Sequence, residues 1–230
     1  MFFSINYYIY MLPAIFLMMI AQWYVNSAYN KWGKIRNQRN ITGSEAAERL
    51  IRSARLHDLQ IERIRGNLTD HYDPSSKTLR LSQGVADAPS VAALAIAAHE
   101  LGHAQQDQDE YLPLKFRAAL VPMVNIGSYL GWIFIFGGLL LKLANLSWLG
   151  IAFFSGGALF ALATLPVELN ASARARKMLA ETGLVTSPEE TNGVRKVLNA
   201  AALTYVAGLF QAVMQLLYFV SLVSGGRRRS

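Results

Sequence analysis

Four long apolar stretches dominate the pattern of hydrophobic and polar positions along the chain. They cover residues 5–25, 118–141, 146–165 and 200–223. Each has about 20 residues and almost no charge, and a helix of that length crosses roughly 30 Å of hydrocarbon. Only a short link, residues 142–145, separates the second stretch from the third, which predicts a tight helical hairpin. The pattern therefore predicts about four transmembrane helices.

The polar segment after the first stretch predicts a small mixed domain. Thr42 and Glu45 have the spacing of a capping box, and an apolar stripe of helical period follows them. Residues 59–65 and 78–82 alternate roughly as strands do, around a turn-rich stretch at 73–76, which favours a short β-hairpin or sheet. An exposed edge strand could accept an extended peptide, or the strands could merely cover the core.

A run of strong helix formers begins after Ser90, a residue that favours the N-cap position, and leads into His99, Glu100 and His103. Residues i and i+4 share one face of a helix, so both imidazoles can bind one Zn²⁺ while Glu100 reaches a water beside it. This is the HExxH pattern of metallohydrolases, in which the glutamate is the general base. Polar residues 105–110 indicate that the helix leaves the apolar interior there. The alternative is a buried pair of structural histidines.

Elimination predicts Glu168 as the third zinc ligand. A catalytic zinc needs three protein ligands and an open position for water. The remaining histidines lie upstream, and the carboxylates just after His103 are too near to fold back without breaking the helix. Glu168 follows Pro166 at the predicted start of a helix, where the alternative role is to stabilise the helix N-terminus. The other late carboxylates lie in a predicted solvated turn: Glu181, Glu189 and Glu190.

These features predict a mainly α membrane protein with a small, zincin-like α+β catalytic domain. With two histidines and a glutamate as ligands, the enzyme would be gluzincin-like. The predicted segments are a membrane anchor (1–25), a first catalytic segment with the motif helix (26–117), a transmembrane hairpin (118–165), a second catalytic segment with the third ligand (166–199), a last transmembrane helix (200–224) and a basic tail (225–230).

Composition and charge agree with a membrane location. Hydrophobic residues make up 53% of the chain and charged residues 16%, with a net charge of +7. The basic residues flank the apolar stretches rather than exposed aromatics, which argues against nucleic acid as a partner. Eleven of them fall on one predicted side, so the positive-inside rule places the motif in the cytoplasm, whereas Lys142 and the arginines of the tail lie opposite. The chain has no cysteine, which excludes disulfides and thiolate ligands.

Several segments together resemble a family, the YugP-like bacterial membrane zinc metallopeptidases. They are GNLTDHYDP (66–74), LRLS (79–82), HELGHAQ (99–105), TLPVE (164–168), AS (171–172) and AALTYVA (201–207). The resemblance implies a multi-pass peptidase of the cell membrane that acts on a peptide or protein, with His99 and His103 as zinc ligands and Glu100 as the catalyst. The family usually has Asp where this chain has Asn170.

Candidate contacts to the substrate or the transition state lie in or beside these segments: His71, Tyr72, Asn170 and Tyr205. His71 and Tyr72 could stabilise an oxyanion, or they could serve only the geometry of their turn. No sequence feature specifies the oligomeric state.

Two other functions are compatible with parts of this pattern. An intramembrane site-2-type protease has its HExGH motif on a transmembrane helix and an Asp-Gly ligand motif downstream. Here the apolar run before His99 has only about eight residues, too short to span, and no Asp follows Asp109. A non-catalytic scaffold stabilised by zinc would normally close its site with four protein ligands, whereas the sequence supplies three.

Overall fold

The computed structural model describes residues 5–56 and 58–226. His57 and the arginines of the predicted basic tail lie outside the described residues. In chain order the elements are α1 (Ile5–Trp32), α2 (Gly43–Ala54), β1 (Gln60–Ile64), β2 (His71–Asp73), β3 (Thr78–Ser82), α3 (Gln83–Ala86), α4 (Val91–Gln108), α5 (Leu112–Leu140), α6 (Ala144–Glu181) and α7 (Pro188–Gly226). The predicted fold class, mainly helical with a small sheet, is confirmed.

Two compact units make up the described chain. The helical unit contains residues 5–21, 115–166 and 204–226, and the mixed unit contains the rest, residues 22–114 and 167–203 without residue 57. The sheet and the motif helix α4 belong to the mixed unit.

The helices α1, α5, α6 and α7 are long and apolar enough to cross a membrane. Between 17% and 22% of each apolar window is buried, so most of it remains open to a surrounding solvent, and a bilayer suits such a surface. Each helix is longer than its predicted span. The expectation that a new helix begins after Pro166 is wrong, because α6 continues through this proline to Glu181. A proline removes one backbone donor, a loss that transmembrane helices tolerate.

Within the helical unit, α5 and α6 form the predicted tight hairpin. They are joined by three residues, and the middle one, Lys142, has a left-handed backbone with φ of 58°. Gly138 allows the close approach, because a Cβ at this position would meet the backbone nitrogen of Ser147 at 2.5 Å. The Ser147 hydroxyl in turn donates to the carbonyl oxygen of Ile135 at 3.2 Å. Small and polar side chains thus hold the two helices together.

The helix starts of the mixed unit follow the local sequence. The Thr42 side chain accepts from the Glu45 backbone and the Glu45 carboxylate accepts from the Thr42 backbone, so the predicted capping box is confirmed. Ser90 Oγ accepts from the backbone N–H of Ala93 at 3.1 Å and caps α4 as predicted.

The sheet has the order β1-β3-β2, and its pairing differs from the predicted hairpin. The antiparallel partner of β3 is β2, with Tyr72 opposite Leu79, whereas β1 runs parallel to β3. A strand of three residues such as β2 is too short to show a period of two, so the sequence pattern did not indicate it. β3 is the central strand, and its Leu79 and Leu81 are fully buried.

The core of the mixed unit is built around α4. Most of this helix is buried, including Leu94 and Leu101, and the residues packed with it come from α2, α6 and α7, with Leu50, Leu179 and Leu198 among them. A helix buried on nearly every side has a fixed position, which suits a helix that holds catalytic groups.

Candidate metal centre

Three side chains of the mixed unit converge on one point. Nε2 of His99 lies 3.3 Å from Oε2 of Glu168, and Nε2 of His103 lies 3.4 Å from the same oxygen. The two imidazole rings stand edge to face with centroids 4.9 Å apart. In the described part of the chain, His99, His103 and Glu168 each offer one potential ligand atom, and these three atoms lie within 4.8 Å of one another.

This arrangement fits a zinc ion. Bond lengths of about 2.0–2.1 Å and tetrahedral angles place neighbouring ligand atoms roughly 3.3 Å apart. The two separations from Glu168 match that value, and nitrogen and carboxylate oxygen are ligands that zinc accepts. Three protein ligands leave a fourth position for water, as in catalytic zinc sites.

Glu168 reaches the histidines from the interior of α6 and is 3% exposed. The alternative in which it stabilises a helix N-terminus is therefore wrong, because α6 begins at Ala144. Gly102 explains how α6 comes so close. A Cβ at Gly102 would lie 2.5 Å from the carbonyl oxygen of Ala171, so only glycine lets the two helices approach at this level. Gly102, which directly precedes His103, thus allows the third candidate ligand to lie near the motif helix.

The other nitrogen of each imidazole also has a partner. Nδ1 of His99 lies 3.2 Å from Oγ of Ser172, and Nδ1 of His103 lies 3.0 Å from Oε1 of Gln106. Such partners fix the ring orientation of metal-binding histidines. Burial lowers the pKa of His103, but the nearby carboxylates of Glu168 and Glu100 raise it by more than burial lowers it.

Gln106 was missed by sequence reasoning, because polar residues 105–110 were expected to mark the exit of the helix from the interior. That expectation is wrong for Gln106, which is fully buried. No local signal separates it from Gln105 beside it. Ser172 lies in one of the segments that carried the family resemblance. The resemblance therefore drew attention to this residue, but it did not indicate what the residue does.

Glu100 lies beside the three converging side chains and is tied to the sheet. Its Oε2 accepts from the backbone N–H of Tyr72 at 3.1 Å, so the edge strand β2 runs next to this carboxylate. Burial raises the pKa of the Glu100 carboxyl, and the nearby charges of His99 and His103 oppose that rise. The carboxylate predicted to be the catalyst therefore interacts electrostatically with the predicted zinc ligands.

The other predicted contact residues lie in different places. The Tyr72 hydroxyl donates to Oδ2 of Asp107 at 2.7 Å. Burial is the largest cause that raises the pKa of Tyr72, and the bond to Asp107 raises it further. His71 is exposed, with Nδ1 2.9 Å from the carbonyl oxygen of Thr69. Asn170 lies two residues after Glu168 on α6, and its Oδ1 accepts a hydrogen bond from Nε2 of Gln106. Tyr205 is half-buried on α7 in the helical unit.

Among the carboxylates that elimination set aside, Glu190 is not in a solvated turn. It is 4% exposed, and its oxygens accept from the backbone N–H groups of Gln38 at 2.8 Å and Thr186 at 3.2 Å. Ser187 Oγ accepts from the Glu190 backbone, as in a capping box at the start of α7. Its burial is thus explained by structural hydrogen bonds.

Comparison with known proteins agrees with this site. Residues 7–224 match the family described as "Putative neutral zinc metallopeptidase". The chain belongs to this family. It is also 44% identical over 207 residues to the "Putative membrane protease YugP" of Bacillus subtilis strain 168. The aligned residues cover 90% of this chain and 92% of that protein. No solved structure matches the chain.

The family resemblance inferred from the sequence segments is therefore confirmed. The apolar helices agree with a membrane location.

Proposed function

We propose that this protein hydrolyses peptide bonds at a zinc ion held by His99, His103 and Glu168. The observation that supports the proposal most directly is the convergence of two imidazole nitrogens on one buried carboxylate oxygen at 3.3 and 3.4 Å. When bound there, zinc would lower the pKa of a water ligand to about 7 and polarise the carbonyl group under attack.

Glu100 would move the proton. It would accept a proton from the attacking water and pass it to the departing amine. The hydrogen bond from the Tyr72 backbone holds one of its oxygens, which limits the positions that the carboxylate can take. Nδ1 partners keep the two imidazoles in place, so the chain contributes orientation as well as ligands.

A peptide or protein is the proposed substrate. β2 is an edge strand and lies next to Glu100, so an extended peptide added along this edge would pass close to the catalytic group. Because Tyr72 N–H is bound to Glu100, a peptide that pairs with this residue would have to share or displace that bond.

The two other functions are less well supported. α4 has 18 residues, lies in the mixed unit and is not among the helices that could span a membrane, unlike the motif helix of a site-2-type protease. A structural zinc site would normally have four protein ligands. In the part of the chain that the structure describes, the converging group has three.

We also propose that the mixed unit faces the cytoplasm, since eleven basic residues beside the predicted spans fall on its side.

Replacing Glu100 by Gln tests the mechanism. Glu100→Gln should bind zinc like the wild type and lose peptide hydrolysis, because the amide keeps the shape but cannot accept the proton. Zinc content and cleavage of a quenched fluorescent peptide library would be measured on the full chain in detergent. Glu48→Gln, on the exposed face of α2, is the matched control and should keep both properties. Turnover of Glu100→Gln at the wild-type rate would contradict the mechanism.

A further inference from the structure

Gln106 is a fully buried amide whose hydrogen bonds can run in only one direction. Its Nε2 donates to the carbonyl oxygen of Val167 at 2.7 Å and to Oδ1 of Asn170 at 2.9 Å. A backbone carbonyl only accepts hydrogen bonds, so the amide must turn its nitrogen towards Val167. Its oxygen, Oε1, is thereby directed at Nδ1 of His103, 3.0 Å away.

The orientation of this amide determines the tautomer of His103. An amide oxygen only accepts, so Nδ1 of His103 must carry a proton and donate it. In the neutral ring, Nε2 then keeps its lone pair, and this is the nitrogen 3.4 Å from Glu168. His99 differs, because its Nδ1 faces the hydroxyl of Ser172, which can either donate or accept.

Asn170 holds the far side of the amide. Its Oδ1 accepts from Gln106 and also from Nε of Arg174 at 2.8 Å, and Arg174 is paired with Asp109. The Asn170 oxygen is therefore fixed as an acceptor for two donors. A neutral acceptor suffices here, so Asn170 can fill this role without a negative charge.

We propose that Gln106 is a positioning residue of the metal centre, which holds His103 in the tautomer with Nε2 free and fastens α4 to α6 beside Glu168. The inference rests on the proposed zinc site. Val167 directly precedes Glu168, so one side chain aligns a ligand on α4 with the segment that bears the ligand on α6. Loss of such a partner typically lowers metal affinity by about 10–100-fold.

Adjacent glutamines supply a matched pair of variants. Gln106→Leu removes the buried amide, whereas Gln105→Leu changes a half-buried side chain that lines a cavity between α2 and α6. Zinc affinity would be measured by competition with a chelator. We expect it to fall by roughly 10–100-fold in Gln106→Leu and to stay at the wild-type value in Gln105→Leu.

A direct reading of the tautomer separates positioning from general stability. In zinc-loaded protein labelled with ¹⁵N-histidine, the Nδ1–H of His103 should be protected from exchange in the wild type and lose that protection in Gln106→Leu. Gln106→Glu keeps an acceptor for Nδ1–H but loses both donors to α6, so it should restore the protection while the zinc affinity stays below that of the wild type. If Gln106→Leu fails to fold, the test is made on Gln106→Glu, by measuring whether the Nδ1–H of His103 is protected from exchange in that variant.

The outcomes distinguish this inference from the proposed function. Unchanged zinc affinity and an unchanged Nδ1–H signal in Gln106→Leu would overturn the role of Gln106 and leave the peptidase proposal standing. A zinc-loaded wild type that cleaves no peptide would contradict the peptidase proposal, while weaker zinc binding in Gln106→Leu would still support the role of Gln106. If His103→Ala binds zinc as tightly as the wild type, both are wrong.

Discussion

At the scale of single residues, Glu168 is the group that joins the motif helix to a second segment of the chain. It is buried and its Oε2 lies beside both imidazoles. We expect Glu168→Ala to lose zinc and activity together, because two histidines alone make a weak site. Metal analysis after dialysis would measure the loss.

The matched control for this change is Glu181→Ala, on the same helix, whose carboxylate is exposed and lies 3.8 Å from Lys177. This control should keep its zinc. Full zinc occupancy in Glu168→Ala would exclude Glu168 as a ligand.

The residues of the site differ in how far the sequence could indicate them. His99, Glu100 and His103 lie on one helix, so their spacing alone is enough to predict a shared site. Glu168 followed from elimination, although the expected helix start at this point was wrong. Gln106 could not be found, because its role depends on acceptors of α6 that face it only after folding.

At the scale of elements, the contact between α4 and α6 depends on Gly102. A Cβ here would lie 2.5 Å from Ala171 O and 3.0 Å from its carbonyl carbon, and both are backbone atoms that cannot rotate away. Gly102→Ala should therefore separate the helices, destabilise the mixed unit by about 1–3 kcal/mol and weaken zinc binding.

Thermal unfolding and chelator competition would test this change, with Gly156→Ala as the control. Gly156 lies on α6, and a Cβ added there would meet no atom of a neighbouring element within 4 Å, so an alanine fits without strain. Wild-type zinc affinity in Gly102→Ala would show that the close approach is not required.

The hairpin of β2 and β3 depends on pH through Asp73. Its carboxylate accepts from Arg80 at 2.7 Å and from Ser76 at 2.8 Å, and the Arg80 bond is the main reason why the pKa of Asp73 lies well below its usual value. A lowered folded-state pKa contributes stability above the unfolded pKa of about 3.9, and that stability is lost as the pH falls through the folded pKa.

We expect Asp73→Asn to unfold at a lower temperature than the wild type at pH 7, and the difference to shrink as the pH falls below about 4. The measurement needs zinc-free protein at every pH, so that loss of metal does not contribute. A difference that stays constant down to acid pH would contradict this role of Asp73.

The elements themselves show where local pattern is sufficient. Caps at Thr42 and Ser90 were predictable, because each depends on residues no more than three positions away. The pairing of β3 was not, because this strand pairs with β1 in parallel and with β2 antiparallel, and both pairings are set by packing over a longer range of sequence. Apolar length predicted four long helices but not their ends, which extend into polar residues.

At the scale of the whole molecule, the orientation in the membrane is the property that charge predicts most directly. Eleven basic residues beside the predicted spans fall on one predicted side, the side of the motif. The absence of native cysteine makes single introduced cysteines specific reporters.

Glu48→Cys and Lys177→Cys place a thiol at exposed positions of the mixed unit, with side-chain exposures of 59% and 73%. If this unit is cytoplasmic, a maleimide that cannot cross membranes should label neither position in intact cells and both after permeabilisation. Ala144→Cys, exposed at the start of α6 beside the α5–α6 turn, should be labelled in intact cells, because two spanning helices carry the turn to the other face. Labelling of positions 48 and 177 from outside, without labelling of 144, would reverse the orientation and place the proposed peptidase site outside the cytoplasm.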